Sequence, residues 1–172
     1  LDSVASYARL AREAGVRVML NAAPAAALPP GLLDSVDVLV VNEGELAALA
    51  GEGSVAAQAA RLPVPCVVVT LGARGCFARR GAEMFLQPAF PIEAVDTTAA
   101  GDTFCGALAA RLAEHAGLED ALRFASAASA LACTRLGAQA SIPMRAEVEA
   151  WLAGHADEPA RRAALAAYCG LS

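Results

Sequence analysis

The segment Asp96-Thr97-Thr98-Ala99-Ala100-Gly101-Asp102 joins a short apolar stretch to a long alanine-rich stretch that is typical of a helix. Small residues let a backbone pass close to a ligand, and glycine adopts backbone angles that other residues resist. The first N–H groups of a helix have no partner inside the helix and lie at its positive end. A strand, a turn of small residues and a helix start, in this order, therefore predict an anion site suited to phosphate.

Asp102 is an acid placed beside this predicted phosphate site. A carboxylate in the first turn of a helix could simply complement the helix dipole. Alternatively, it could orient a substrate hydroxyl and accept its proton while a phosphoryl group is transferred. The residues alone leave both interpretations open.

Outward from this segment, continuous apolar runs alternate with helical patterns. Such runs are typical of parallel strands buried on both faces, so we predict an α/β fold with an open, mostly parallel sheet and helices on both faces. Predicted strands cover residues 16–20, 36–41, 66–71 and 91–96, with a β-hairpin at 75–85. Predicted helices cover 3–14, with Ser3 as its cap, 43–50, 54–61, 100–115, 118–134, 145–153 and 158–168. With no repeat or linker, residues 1–172 are interpreted as one domain.

Composition narrows the possible functions. The net charge is -5, and the basic residues are scattered, which argues against a nucleic-acid partner. No apolar run approaches the roughly 18 residues that a membrane helix needs. Five widely spaced cysteines and two histidines indicate reduced thiols in a cytoplasmic protein rather than a zinc site. Because Leu1-Asp2-Ser3 shows neither an initiator methionine nor a signal segment, we expect the sequence to begin inside a longer or processed protein.

Residues 96–104 resemble the C-terminal signature of the ribokinase family of sugar kinases, Asp-Thr-x-(Gly/Ala)-Ala-Gly-Asp. Further segments resemble other motifs of that family, in the family's order. They are residues 20–25, similar to an Asn-Pro-Ala-Pro-Ala loop with Ala22 in place of the first proline; 42–45, similar to Asn-x-x-Glu; 70–75, similar to the nucleotide loop; and 135–143, similar to the ribokinase ending. The resemblance covers residues 16–153 and corresponds to the C-terminal, ATP-binding part of a family member.

The resemblance implies ATP-dependent phosphorylation of a sugar hydroxyl, with D-ribose converted to ribose 5-phosphate. Alternatives are a fructokinase, a ketodeoxygluconate kinase, an adenosine kinase, or a non-catalytic nucleotide-binding fragment. A dinucleotide-dependent oxidoreductase is disfavoured because no Gly-x-Gly-x-x-Gly follows the first strand. By the resemblance, Asp102 is the catalytic base and touches the sugar, and the N–H groups of Ala99, Ala100 and Gly101 form the anion hole.

The resemblance also implies an ATP site with magnesium. Asn42 and Glu45 would lie near the triphosphate and, through water, near Mg²⁺, although the residues alone favour an N-cap and an exposed helical acid. The nucleotide loop would comprise Thr70, Leu71, Gly72, Ala73, Arg74 and Gly75, with Gly101 and Asp102 beside the phosphates and Ser126 near the adenine. The chain has no P-loop lysine motif.

A monovalent-cation site is a further implication of the resemblance. It would be built mainly from backbone carbonyls and hold K⁺ behind the turn that precedes the predicted helix. The matching positions are Asp96, Thr98, Ala132, Arg135, Gly137 and Ser141.

The family's sugar pocket lies largely in an N-terminal half with a β-sheet lid that also mediates homodimerisation. Nothing in the present 172 residues resembles that half. We therefore expect the isolated chain to be inactive and any homodimer to form through the lid.

Overall fold

We analysed a computed structural model of the chain, which describes residues 1–156 and 158–171. The described helices are α1 (Asp2–Glu13), α2 (Glu43–Ala50), α3 (Val55–Arg61), α4 (Ala100–Ala113), α5 (Leu118–Cys133), α6 (Arg145–Ala153) and α7 (Pro159–Cys169). The described strands are β1 (Met19–Asn21), β2 (Val38–Asn42), β3 (Cys66–Thr70), β4 (Gly75–Arg80) and β5 (Glu83–Pro88). Asp157 and Ser172, in the predicted C-terminal tail, lie outside the described residues.

The five strands form one open sheet in the order β1-β2-β3-β4-β5. Strands β1, β2 and β3 are parallel, with Val38 opposite Met19 and Cys66. Gly81, with a φ of 59°, lies in the two-residue turn between β4 and β5, where a left-handed conformation suits a tight hairpin. The predicted α/β class with an open, mostly parallel sheet and a hairpin is therefore confirmed.

Two compact units divide the chain. The first comprises Leu1–Leu71, Phe77–Met84 and the residues from Ala167 onward; the second comprises Gly72–Cys76 and Phe85–Ala166. Strands β4 and β5 and helix α7 each contribute residues to both units.

The core of the first unit is formed by the apolar strands. Leu39, Val67, Val68 and Val69 are fully buried, as their continuous β-branched and leucine pattern predicts. Burying one such side chain stabilises a fold by about 1.5–3 kcal/mol relative to leaving it in water. Strands β2 and β3 therefore form a rigid support for the residues at their ends.

Helix α1 differs from its predicted form. Its N-cap is Leu1, without a side-chain cap, so the prediction that Ser3 caps it was wrong. Ala8 is its buried residue, whereas Tyr7 and Leu10 are 78% and 58% exposed. An apolar groove of about 500 Å³ lies between this helix and the residues around β1, which is an edge strand.

Two predicted strands, at residues 16–20 and 91–96, differ from the structure. Strand β1 begins at Met19, so residues 16–18 precede it. The Val18 N–H donates to the Asp37 carboxylate at 2.8 Å, whereas the Val18 carbonyl accepts from the Val38 N–H in β2. Residues 91–96 form no strand, because the N–H groups of Val95 and Asp96 both donate to the carbonyl of Cys133 at the end of α5.

The second unit contains helices α4, α5 and α6 around an aromatic cluster. Phe90, Phe124 and Val148 are buried there, and the rings of Phe90 and Trp151 meet edge to face with centroids 4.8 Å apart. Alanines on the buried face of α5 let α4 and α5 pack closely.

Among the described residues, no helix is long and apolar enough to cross a membrane.

Candidate active site

The turn before α4 is held together by the side chain of Asp96. Its Oδ1 accepts hydrogen bonds from the Thr98 N–H at 2.9 Å and from the Thr98 hydroxyl. The Thr98 hydroxyl, followed by the N–H groups of Thr98 and Gly137, holds the pKa of the Asp96 carboxyl below its usual value. Asp96 is therefore an ionised acceptor that shapes the turn.

Asp96 also joins the turn to the loop after α5. Its Oδ2 accepts from the Gly137 N–H at 3.1 Å, although 41 residues separate the two positions. At the end of α5, the Ala132 carbonyl accepts from the Arg135 N–H at 3.2 Å, and the buried Ser141 donates its hydroxyl to the Ala138 carbonyl. The structure thus ties together the two segments that carry the predicted cation-site residues.

Helix α4 begins at the predicted anion site. Ala99 is its N-cap and is buried, whereas Gly101 and Asp102 are exposed in the first turn. A Cβ placed on Gly101 would meet nothing within 4 Å, so the approach to this helix end is open. The helix has 14 residues, so its positive end can stabilise a bound anion.

One predicted anion-hole donor has a partner within the turn. The Ala100 N–H donates to the Thr97 carbonyl at 3.2 Å, so an anion must compete with that hydrogen bond. The Ala99 carbonyl accepts from the Thr103 N–H at 2.9 Å, which begins the helix.

One further residue supports this turn and was missed by the sequence reasoning. The Ser129 hydroxyl on α5 donates to the Ala100 carbonyl at 2.9 Å. The Thr103 hydroxyl oxygen is buried and has no hydrogen-bond partner among the described residues. Ser129, one of two serines in the alanine-rich helix α5, was the available signal for its contact with Ala100.

In the first unit, Asn42 and Glu45 form a reciprocal pair. Asn42 ends β2 and is the N-cap of α2, where its side-chain oxygen accepts from the Glu45 N–H at 2.9 Å. The Glu45 carboxylate accepts from the Asn42 N–H at 2.8 Å, and Glu45 is only 5% exposed. This capping box satisfies two N–H groups at the helix start. The expected N-cap is present, but Glu45 is buried rather than exposed.

Thr70 lies beside this pair. Asn42 and Thr70 are opposite each other in the register of β2 and β3, and the Thr70 hydroxyl donates to the Val41 carbonyl at 3.4 Å. Both residues are therefore at the carboxyl ends of parallel strands, the edge where open α/β sheets bind ligands. Leu71, which follows, is buried and belongs to the core.

In the second unit, residues Gly72–Arg74 form a single helical turn that leads into β4. Gly75 has a φ of 116°, and a Cβ there would lie 2.1 Å from the Gln87 carbonyl oxygen. Only glycine fits this close approach. Ser126 lies nearby, because its hydroxyl is 3.7 Å from the Cys76 thiol.

The donor groups limit which metal ions the candidate site could hold. The described residues contain no cluster of three or more histidine, cysteine or acidic side chains that could hold a metal ion. The residues present fit a magnesium ion bound by phosphates and water, for which one or two protein carboxylates suffice. The 96–98 turn and the loop after α5, which carry most of the residues predicted for a monovalent cation, are joined through Asp96.

Comparison with known proteins identifies the family. A sequence model of the pfkB family of carbohydrate kinases matches residues 1–145. The chain belongs to the pfkB family of carbohydrate kinases. Ribokinase from Haemophilus influenzae is 39% identical over 155 residues, which cover 86% of this chain and 51% of that protein.

Solved structures of pfkB-family proteins agree with this assignment. Ribokinase from Thermotoga maritima superposes with a TM-score of 0.79 at 40% identity, covering 86% of this chain and 52% of that one. The Arabidopsis thaliana ribokinase complexed with ribose and ATP superposes with a TM-score of 0.80 at 37% identity, covering 87% and 51%. The chain thus spans about half the length of the relatives that it matches.

These matches confirm the predicted resemblance to ribokinase-like sugar kinases. The roles assigned to individual residues of this pfkB-family chain stay predictions, as does the single-domain interpretation of residues 1–172.

Proposed function

We propose that the protein carrying this chain transfers a phosphoryl group from ATP to a sugar hydroxyl, with D-ribose as the substrate and ribose 5-phosphate as the product. The observation that carries the proposal is the open turn of small residues at the start of α4, with Asp102 exposed beside it. Ribokinases at 36–42% identity, among them the chain with bound ribose and ATP, support the choice of substrate.

In the proposed reaction, Asp102 accepts the proton of the attacking sugar hydroxyl. The N–H groups of Ala99, Ala100 and Gly101, with the positive end of α4, stabilise the negative charge on the transferred phosphoryl group. Because the transition state of phosphoryl transfer is loose, positioning contributes more than proton removal.

Other residues are proposed to bind the nucleotide. Asn42 and Glu45 would act at the triphosphate end, Thr70 to Gly75 along the nucleotide, and Ser126 at the base. Magnesium neutralises phosphate charge when bound, and a related ribokinase II structure in complex with ATP and Mg²⁺ supports its inclusion.

The variant Asp102→Asn tests the catalytic role. It keeps the size of the side chain but cannot accept the proton, so we expect nucleotide binding to persist and turnover to fall by about 100-fold or more. Sugar-dependent ADP release, measured with the full-length protein, gives the rate. Turnover like that of the unchanged protein would remove the assignment.

Potassium, bound by backbone carbonyls, is proposed to lie behind the turn from Thr98 to Gly101 and to fix the amides of that turn in place. Activity should rise when K⁺ replaces a large organic cation at constant ionic strength. An unchanged rate would count against a cation site at Asp96, Thr98, Ala132, Arg135, Gly137 and Ser141.

A second candidate is another sugar or nucleoside kinase of the family. A rice fructokinase is 38% identical over 130 residues, and the structure of an aminoimidazole riboside kinase superposes with a TM-score of 0.71. ADP release compared across ribose, fructose, adenosine and ketodeoxygluconate distinguishes these substrates. Binding of ATP without sugar-dependent ADP release would instead favour a non-catalytic nucleotide-binding role.

The proposed activity belongs to a protein of the relatives' length. Because this chain spans about half of that length, we expect the 172 residues alone to release no sugar-dependent ADP. Robust ribose phosphorylation by the isolated chain would contradict this expectation. The cytoplasmic location and the homodimer stay predictions.

A further inference from the structure

The end of the chain contacts the acidic turn at the start of α2. The Tyr168 hydroxyl, in the last turn of α7, donates a hydrogen bond to the Glu43 carboxylate, 125 residues away in sequence. The family match ends at residue 145, so this contact comes from outside the matched part of the chain.

The residues after Tyr168 are closely packed in the same place. Cys169 is fully buried, and burial together with the nearby charge of Glu43 raises the pKa of its thiol to about 11. Gly170 has a φ of 81°, and a Cβ there would lie 2.5 Å from the Cβ of Ser54, the N-cap of α3. The segment 168–170 is therefore fitted against the starts of both α2 and α3.

Glu43 lies inside the motif assigned to the nucleotide. It is the first residue of α2, between Asn42, which caps the helix, and Glu45, whose carboxylate bonds back to the Asn42 N–H. Two carboxylates thus lie in one helical turn, and only the orientation of Glu45 is set by the capping box. The direction of the Glu43 carboxylate depends on its own contacts, of which the Tyr168 hydroxyl is one.

We propose that Tyr168 is a positioning residue for the nucleotide and magnesium end of the site. Its hydroxyl holds the Glu43 carboxylate in a fixed direction, which limits the repulsion between that charge and the phosphates. The inference rests on the proposed role of Asn42 and Glu45. It assigns to the C-terminal segment a function in nucleotide affinity as well as in packing.

The test uses Tyr168→Phe in the full-length protein, which removes only the hydroxyl. Calorimetry of Mg·ADP and Mg·ATP binding is the main measurement, because it needs neither sugar nor turnover. We expect the dissociation constants to rise by about threefold to tenfold, which is less than the loss of a hydrogen bond between a charged group and the ligand itself, because the Tyr168 hydroxyl acts through Glu43. In kinetics, KM for Mg·ATP should rise by a similar factor while kcat changes by less than about twofold.

Two further variants separate positioning from simple packing. Tyr7→Phe removes the hydroxyl of the chain's other tyrosine, on α1, and should leave nucleotide affinity unchanged. Gly170→Ala pushes a methyl group against Ser54, so it should displace the segment and weaken nucleotide binding in the same way as Tyr168→Phe.

The outcomes are distinct. A lower melting temperature for Tyr168→Phe with unchanged nucleotide affinity would overturn the inference and leave a packing role alone. If the unchanged protein binds Mg·ATP but releases no sugar-dependent ADP, the proposed kinase activity fails, whereas the effect of Tyr168→Phe on binding still decides the inference. If the unchanged protein binds no nucleotide, both proposals fail.

Discussion

Replacing Glu45 separates its role as a helix cap from its proposed role at the magnesium ion. The carboxylate is 5% exposed and accepts from the Asn42 N–H at 2.8 Å. Glu45→Ala leaves that N–H without this acceptor, which costs about 1–3 kcal/mol. For 150–250 residues, a loss of about 2 kcal/mol lowers the melting temperature by roughly 4–8 °C, and the shift is smaller in the longer full-length protein.

Glu45→Gln keeps an acceptor oxygen at nearly the same position, and glutamine also serves in capping boxes. Only the favourable charge at the helix start is lost, which costs about 0.3–1 kcal/mol. Stability should therefore stay close to that of the unchanged protein. The magnesium requirement should change, because altering a group that orients bound metal typically weakens metal affinity by about 10- to 100-fold.

The assay is sugar-dependent ADP release by the full-length protein as Mg²⁺ is varied at saturating ATP and sugar. Melting temperatures of the same variants are measured by circular dichroism. Glu52→Gln, which changes an exposed acid beyond the end of α2, is the matched control and should alter neither quantity. If Glu45→Gln needs no more magnesium than the unchanged protein, while Glu45→Ala is destabilised, then Glu45 is only a helix cap.

Two further predictions concern stability. Gly75→Ala should lower the free energy of unfolding by about 2–5 kcal/mol, because the new methyl group would overlap the Gln87 carbonyl and because φ at this position is 116°. Gly81→Ala, in open space, is the control and should lower it by only about 1–2 kcal/mol. Urea denaturation measures both losses, and equal losses would contradict the close approach at Gly75. Thr98 lowers the pKa of Asp96 in the folded chain, so the hydrogen bonds of the Asp96 carboxylate stabilise the fold above the ordinary pKa of 3.8. This stabilisation is lost as the pH falls through the lower pKa of the folded chain. Asp96→Asn should therefore reduce the loss of stability that urea titrations show as the pH falls below about 5, and an unchanged pH dependence would contradict the bond.

The strands that were predicted best are those whose sequence is apolar without interruption. Residues 38–42 and 66–70 are strands within two residues of their predicted bounds, because β-branched residues buried on both faces leave little choice of structure. The prediction failed at residues 91–96, where the short apolar pattern was similar. There the N–H groups of Val95 and Asp96 bond to the Cys133 carbonyl, a partner that no local pattern indicates.

Of the helix starts, one was also predicted correctly and one was not. The cap of α2 was predictable because Asn42 and Glu45 have the spacing of a capping box. The cap of α1 was mispredicted because a serine near a helix start is only a statistical signal. The helix begins at Asp2, and Leu1 is its N-cap.

For the candidate site, the local part followed from the sequence. Small residues from Ala99 to Gly101 before a long apolar helix determine an open helix start, since steric freedom and the helix dipole act over a few residues. The acid at position 102 is part of that same first turn.

Only the tertiary structure decided which distant residues support the site. The contacts of Asp96 with Gly137, of Ala100 with Ser129 and of Glu43 with Tyr168 join positions 41, 29 and 125 residues apart. Such pairs depend on how helices and loops pack, and single serines, tyrosines and glycines occur at many surfaces for other reasons. The residues proposed to bind the anion could therefore be named from the sequence, whereas the residues that hold them in place required the fold.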